Sequence, residues 1–231
     1  MSQKLIIALD FENDFEAIKL VNLLDPATCA LKIGSEMFTR FGPEWVQTLQ
    51  QMGFKIFLDL KFHDIPTTVA RACKAAAELG VWMVNVHAVG GLRMMQAAYE
   101  ALEPYGTSRP LLIAVTVLTS MTSAELLVTG VHETLTQQTC ALARLAQAAQ
   151  FDGVVSAAFD VPLIKAACGQ SFLCVTPGIR LSVQSNDDQT RVMIPTAACE
   201  AGSDFLVVGR SITRALNPGD MVRHFLSLMI T

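Results

Sequence analysis

The order of elements along the chain predicts one α/β domain, a single (β/α)8 TIM barrel over residues 1–231. Three observations carry that reading. Short, apolar, β-rich runs occur eight times along the sequence. Alanine- and leucine-rich stretches with helical spacing separate them, and no linker or shift in composition divides the chain. The 231 residues leave about 29 for each of eight units, close to the ~30 residues of a minimal βαβ repeat. An open doubly wound sheet is the competitor, but it usually has fewer strands at this length. A dinucleotide-binding version would also place G-x-G-x-x-G after a strand, and no such motif is present.

The first strand is expected over Lys4–Asp10 and the second over Ala30–Gly34. The third, Lys55–Lys61, leads into a helix at Thr67–Leu79. Trp82–His87 forms the fourth, followed by a helix at Leu92–Leu102 whose Leu92, Met94, Met95 and Tyr99 are packing residues. Leu111–Leu118 is the fifth, and Leu135–Gln150 the longest helical pattern after it. Gly153–Ser156, Phe172–Thr176 and Phe205–Val208 complete the set. These runs are apolar at successive positions rather than alternating, which is how strands covered on both faces read.

Composition narrows the function classes. Hydrophobic residues make up 52% of the chain and charged residues 16%, with mean hydropathy +0.41. Disorder is therefore excluded, and no apolar run reaches the ~18 residues that a membrane span needs. Net charge is −4 with no Lys/Arg run, so no nucleic-acid footprint is expected. The opening Met1-Ser2-Gln3-Lys4 shows no signal-peptide pattern. Six cysteines lack C-x-x-C or metal-type spacing. A reduced, cytoplasmic protein is expected.

A barrel places its active site at the C-terminal ends of its strands, and the charges fall there. Asp10 ends the first strand, and Lys32 lies on the second. Asp59, Lys61 and then Asp64 follow one another at the end of the third, in Asp-Leu-Lys-Phe-His-Asp. Residues 59 and 61 are two apart, so on a strand they share a face. Buried ion pairs stabilise poorly compared with apolar packing, whereas functional sites hold such clusters. The three aspartates could bind magnesium, but the lysines already supply the countercharge, so no metal is expected. His63 reads as a loop residue bonding to backbone, His87 as core or a supporting residue, and Trp45 and Trp82 as packing.

A second constellation follows strands seven and eight. Thr176-Pro177-Gly178-Ile179-Arg180 precedes a polar stretch, Leu181–Thr190, that reads either as a lid over the mouth or as an ordinary surface loop. Strand eight ends in Val208-Gly209-Arg210-Ser211. Barrels commonly bind phosphate between these two loops, and arginine offers a bidentate fork for it.

The run Asp59-Leu60-Lys61-Phe62-His63-Asp64-Ile65-Pro66-Thr67-Thr68 resembles the signature of the orotidine 5′-phosphate decarboxylase family. The D-x-K-x-x-D core is shared with related barrels acting on sugar phosphates, and the Ile65-Pro66-x-Thr68 that follows is what marks the decarboxylases. The resemblance extends to Asp10, Lys32, Leu118-Thr119-Ser120, Thr176–Arg180 and Gly209-Arg210. It implies conversion of orotidine 5′-monophosphate to uridine 5′-monophosphate and CO2, with no metal and no organic cofactor. Lys61 would be the general acid at C6, with Asp59 beside the departing carboxylate. Lys32 and Asp10 would contact the ribose. Asp64 and Thr68 would reach into the partner's site of a homodimer. Thr119 or Ser120 would meet the pyrimidine. Gln189, Gly209 and Arg210 would hold the phosphate, with Pro177 and Arg180 nearby. The alternatives are a sugar-phosphate decarboxylase, synthase or epimerase on the same barrel, and a non-catalytic barrel that binds a phosphorylated ligand.

Overall fold

The computed structural model describes residues 4–181 and 191–229. Eight parallel strands close into a barrel in chain order, the last pairing with the first. They are β1 (Leu5–Leu9), β2 (Cys29–Gly34), β3 (Ile56–Phe62), β4 (Met83–His87), β5 (Leu111–Val115), β6 (Gly153–Val155), β7 (Leu173–Thr176) and β8 (Phe205–Val208). Helices α1 (Asp14–Val21), α2 (Ser35–Gln51), α3 (Pro66–Glu78), α4 (Leu92–Leu102), α5 (Ser123–Val128) and α6 (Leu135–Ala148) alternate with them. The series continues with α7 (Val161–Cys168), α8 (Pro195–Glu200), α9 (Arg210–Thr213) and α10 (Pro218–Leu228). The (β/α)8 barrel expected from the sequence is therefore the observed architecture.

Strand alternation divides the core in two. Ile6, Ala8, Ala30, Phe57, Met83 and Ile113 point inward with Val175, Phe205 and Val207. Leu5, Ile7, Leu9, Leu31 and Ile33 point outward, against helix residues such as Met37, Leu49 and Phe225. Both sets are buried, which explains the unbroken apolar runs. Burying a side chain such as Phe225 contributes roughly 1.5–3 kcal/mol.

Local sequence sets the helix ends. Thr122 with Glu125, and Thr134 with Gln137, form capping boxes that start α5 and α6. Helix α2 is kinked at Gly42, whose φ of 64° suits a residue without Cβ. Gly153 is needed for another reason: a Cβ there would lie 2.1 Å from the Leu173 carbonyl of the neighbouring strand.

Ion pairs with a purely structural look occupy the N-terminal ends of the strands. Arg109 donates twice to Asp152, at 2.6 and 2.7 Å, and Asp152 also accepts the Leu112 N–H. Lys165 donates to Asp204 at 2.7 Å, and Asp204 accepts the Cys174 N–H. Each aspartate thus satisfies a backbone donor in the first two residues of a strand. Another charge cluster lies at the opposite end of the barrel.

All six cysteines are free. Burial pushes the thiols of Cys29, Cys73 and Cys174 up to about 12, so they behave as small apolar residues. Among the described residues, no helix is long and apolar enough to cross a membrane.

Candidate active site

The parallel register brings four charged side chains to one end of the barrel. Ala8 on β1 pairs with Lys32 on β2, and Gly34 pairs with Asp59 on β3. The Lys32 ammonium stands 3.0 Å from Asp59 Oδ2 and 3.6 Å from Asp10 Oδ1. Lys61 Nζ approaches the other Asp59 oxygen, Oδ1, at 2.8 Å. Asn85 on β4 donates to that same oxygen at 2.6 Å. Asp59 is 7% exposed and held between two ammonium groups.

Burial opposes the charge on Asp59, yet Lys32 and Lys61 outweigh it and hold the carboxyl below its ordinary range. Burial likewise opposes the charge on Lys32, but Asp59 and Asp10 raise it above the usual lysine value. Both groups therefore remain charged at neutral pH.

Lys61 departs from the simple alternation expected of a strand. Its φ is 52°, in the left-handed region, and the register of β3 against β4 shifts between Leu58 and Phe62. For a residue with a Cβ this conformation costs ~1–3 kcal/mol and tends to mark functional sites. The Asn85 side chain holds it in place by accepting the Lys61 N–H at 2.8 Å. Asn85 thus fixes both the backbone of Lys61 and the carboxylate that Lys61 faces. Sequence reasoning did not single it out, although a polar residue within the apolar run of β4, in phase with inward-pointing Met83, was a usable signal.

Above this cluster opens a cavity of about 900 Å³. Its floor is apolar, made by Ala8, Phe57, Val115, Val155, Val175 and Val207. Thr119 and Ser120 stand on one wall. Pro177, Gly178, Arg180, Gly209 and Arg210 stand on another. Asp10, Lys32, Asp59 and Lys61 also line it. Glu12, Asn13, Glu16, Thr213 and Arg214 extend the rim and were not anticipated. Their only advance signal was position, in the segments that follow β1 and β8. The rim is polarised, with carboxylates after β1 and guanidinium groups after β7 and β8.

Asp64 and Thr68 are exposed, and neither lines the cavity of its own chain. The Asp64 carboxylate accepts the Ile65 N–H at 2.6 Å. Gln189 lies outside the described residues, as does the segment 182–190. Among the described residues, His63 makes no backbone hydrogen bond of the kind expected of it; its ring lies 5.7 Å from that of His87. Burial, reinforced by the neighbouring His63 and Lys61, lowers the His87 pKa. Among the described residues, no three His, Cys, Asp or Glu side chains form a group able to hold a metal. Between Asp10 and Asp59 stands the Lys32 ammonium, in the position a cation shared by them would take.

Comparison with known proteins gives a consistent result. Residues 3–225 match the model of the orotidine 5′-phosphate decarboxylase / HUMPS family. An orotidine 5′-phosphate decarboxylase of Legionella pneumophila (strain Paris) is 59% identical over 98% of this chain and 99% of its own length. One from Haemophilus influenzae (strain Rd) is 55% identical, covering 96% and 97%. The crystal structure of orotidine 5′-phosphate decarboxylase from Lactobacillus acidophilus superimposes with a TM-score of 0.88 over the full length of both chains, at 36% identity.

Proposed function

The chain belongs to the orotidine 5′-phosphate decarboxylase / HUMPS family and is a carboxy-lyase, and we propose that it converts orotidine 5′-monophosphate to uridine 5′-monophosphate and CO2 without metal or cofactor, with Lys61 as the general acid at C6. The observation that carries this reading is the 2.8 Å pair of Lys61 and buried Asp59 at the base of a polarised cavity with room for a whole nucleotide. The whole chain acts as one catalytic domain.

Loss of CO2 from C6 leaves an electron pair in an orbital in the plane of the pyrimidine ring. The ring's π system cannot delocalise that pair, so the protein must stabilise it electrostatically. An ammonium at C6 does so and then donates its proton to the same carbon. Lys61 is held for this task by Asn85 through its backbone and by Asp59 through its side chain. Asp59, kept ionised by its two lysines, lies beside the substrate carboxylate and disfavours that charge until it leaves as CO2. Lys32 and Asp10 contact the ribose hydroxyls. Thr119 and Ser120 meet the pyrimidine edge from the loop after β5.

The phosphate belongs against Gly209, Arg210 and Arg180, with Gln189 and Pro177 completing that subsite. A Cβ at Gly209 would sit 3.7 Å from Ala8 Cβ, an ordinary contact. Glycine at this position leaves the backbone open to close approach by a ligand. Arg210→Ala should lower kcat/KM severely, with part of the loss in kcat, because binding energy from the phosphate is used to align the reacting carbon. The phosphate-free nucleoside should be a poor substrate for the same reason. Equal turnover of nucleoside and nucleotide by the wild type would refute the subsite.

The functional unit is a homodimer in which Asp64 and Thr68 complete the partner's site. Supporting this, Ile65 and Val89 are 66% and 54% exposed on the adjacent loops after β3 and β4, and Leu92 is exposed beside them. Exposed apolar residues around a carboxylate that its own cavity does not use suit a subunit contact. Six free thiols fit a reducing, cytoplasmic setting.

Ultraviolet monitoring of orotidine 5′-monophosphate tests the proposal. Turnover should persist unchanged after exhaustive dialysis against EDTA. Loss of activity that magnesium restores would show that a cation, not the lysine network, supplies the positive charge.

A further inference from the structure

One buried ion pair lies outside the cavity and has no place in the chemistry above. Asp160, 1% exposed, ends the 3₁₀ turn Ala158–Asp160 after β6. Arg191 grips it with both terminal nitrogens: Nη1 donates to Oδ2 at 2.6 Å and Nη2 to Oδ1 at 2.8 Å. Thr136, in the first turn of α6, adds a third bond to Oδ1 at 2.9 Å. The guanidinium carbon also lies 5.7 Å from the centroid of the Phe159 ring. A bidentate arginine with this much support holds its own backbone in one place.

That backbone leads directly to the cavity wall. Two residues beyond Arg191, Met193 forms a parallel bridge with Ile179. Its N–H donates to the Gly178 carbonyl at 3.1 Å, and its carbonyl accepts the Arg180 N–H at 3.1 Å. Gly178 and Arg180 line the cavity. A continuous series of bonds therefore runs from the β6 loop through Asp160, Arg191 and Met193 to Arg180. The Arg180 guanidinium folds back onto its own backbone, where Nη1 donates to the Ile179 carbonyl at 3.0 Å. Placement of its guanidinium thus depends on where this short stretch of backbone is held.

We propose that Asp160 and Arg191 are positioning residues for the phosphate subsite, setting Arg180 at the cavity wall through the Met193 bridge. The proposal rests on the reading of Arg180 as a phosphate neighbour. A desolvated pair is a suitable device because its geometry admits few alternatives, whereas an apolar contact there would slide. The role is in register rather than in overall stability, since replacing such a pair by packed apolar groups need not destabilise a fold.

Arg191→Lys keeps the charge and removes the bidentate grip. It should lower kcat/KM for the nucleotide by roughly 10²-fold, the scale of loss caused by a misplacement of about 1 Å. Turnover of the phosphate-free nucleoside should not fall with it. Thr136→Val, which removes only the third donor, should show a smaller loss of the same selectivity and keeps the test alive should Arg191→Lys fold poorly. Arg191→Lys and Arg180→Ala should also be strongly non-additive, because one acts through the other. Parallel losses on nucleotide and nucleoside, or full additivity with Arg180→Ala, would reduce the pair to a structural element and overturn the proposal. If Arg180→Ala alone spared nucleotide turnover, the phosphate reading of Arg180 would fall first and the positioning role with it.

Discussion

Lys61→Ala is expected to remove nearly all decarboxylation while leaving a folded barrel. Deleting one preorganised transition-state donor commonly costs ~10²–10³ in kcat, and a charged donor that also delivers the proton should cost more. The protein should tolerate the change. The side chain is partly exposed, and its left-handed backbone is held by Asn85 rather than by the ammonium. Lys61→Gly, which relieves the positive φ, should be at least as stable as Lys61→Ala. Circular dichroism and thermal melting check the fold, and ultraviolet turnover checks the activity. Near-normal kcat in either variant would eliminate Lys61 as the acid.

Mixing two inactive variants should restore activity. In a mixed dimer of Lys61→Ala and Asp64→Ala chains, one site takes intact Lys61 from one subunit and intact Asp64 from the other. The second site carries both defects. Random pairing of equal amounts makes half the dimers mixed, so activity should approach about a quarter of wild type in a two-fold assembly. Each variant alone should remain far below that. If Asp64 serves its own chain, every site keeps one defect and mixing recovers nothing. Verified subunit exchange without recovery would sink the shared site and leave the decarboxylase chemistry standing.

How far the sequence could be read follows from the range of the interactions involved. The eight strands were visible because parallel strands buried on both faces produce dense local apolar runs. Their ends were less so. The fifth β-rich run extends to Leu118 in the sequence, but β5 stops at Val115, because its partner β6 spans only Gly153–Val155. Asp10, Lys32, Asp59 and Lys61 stood out as charges inside apolar runs, and the barrel rule then placed them at one end. The conformation of Lys61 was not legible, since it depends on Asn85, 24 residues further on. Nor was the Asp160–Arg191 pair, whose members are 31 positions apart. The shared D-x-K spacing suggested two side chains on one regular strand face. Instead, a bulge carries Lys61 to Asp59, and the two still meet at 2.8 Å.

Small cations added to Lys61→Ala test the central claim most directly. The ammonium of Lys61 is assigned two duties, facing the carbanion and giving it a proton. A primary alkylammonium ion entering the vacated space can perform both, whereas tetramethylammonium brings the same charge and no proton to donate. With orotidine 5′-monophosphate as substrate, turnover should rise with alkylammonium concentration and remain at the variant's baseline with tetramethylammonium. Equal restoration by the two ions would show that the site needs only positive charge at C6, and would contradict the assignment of Lys61 as the proton donor.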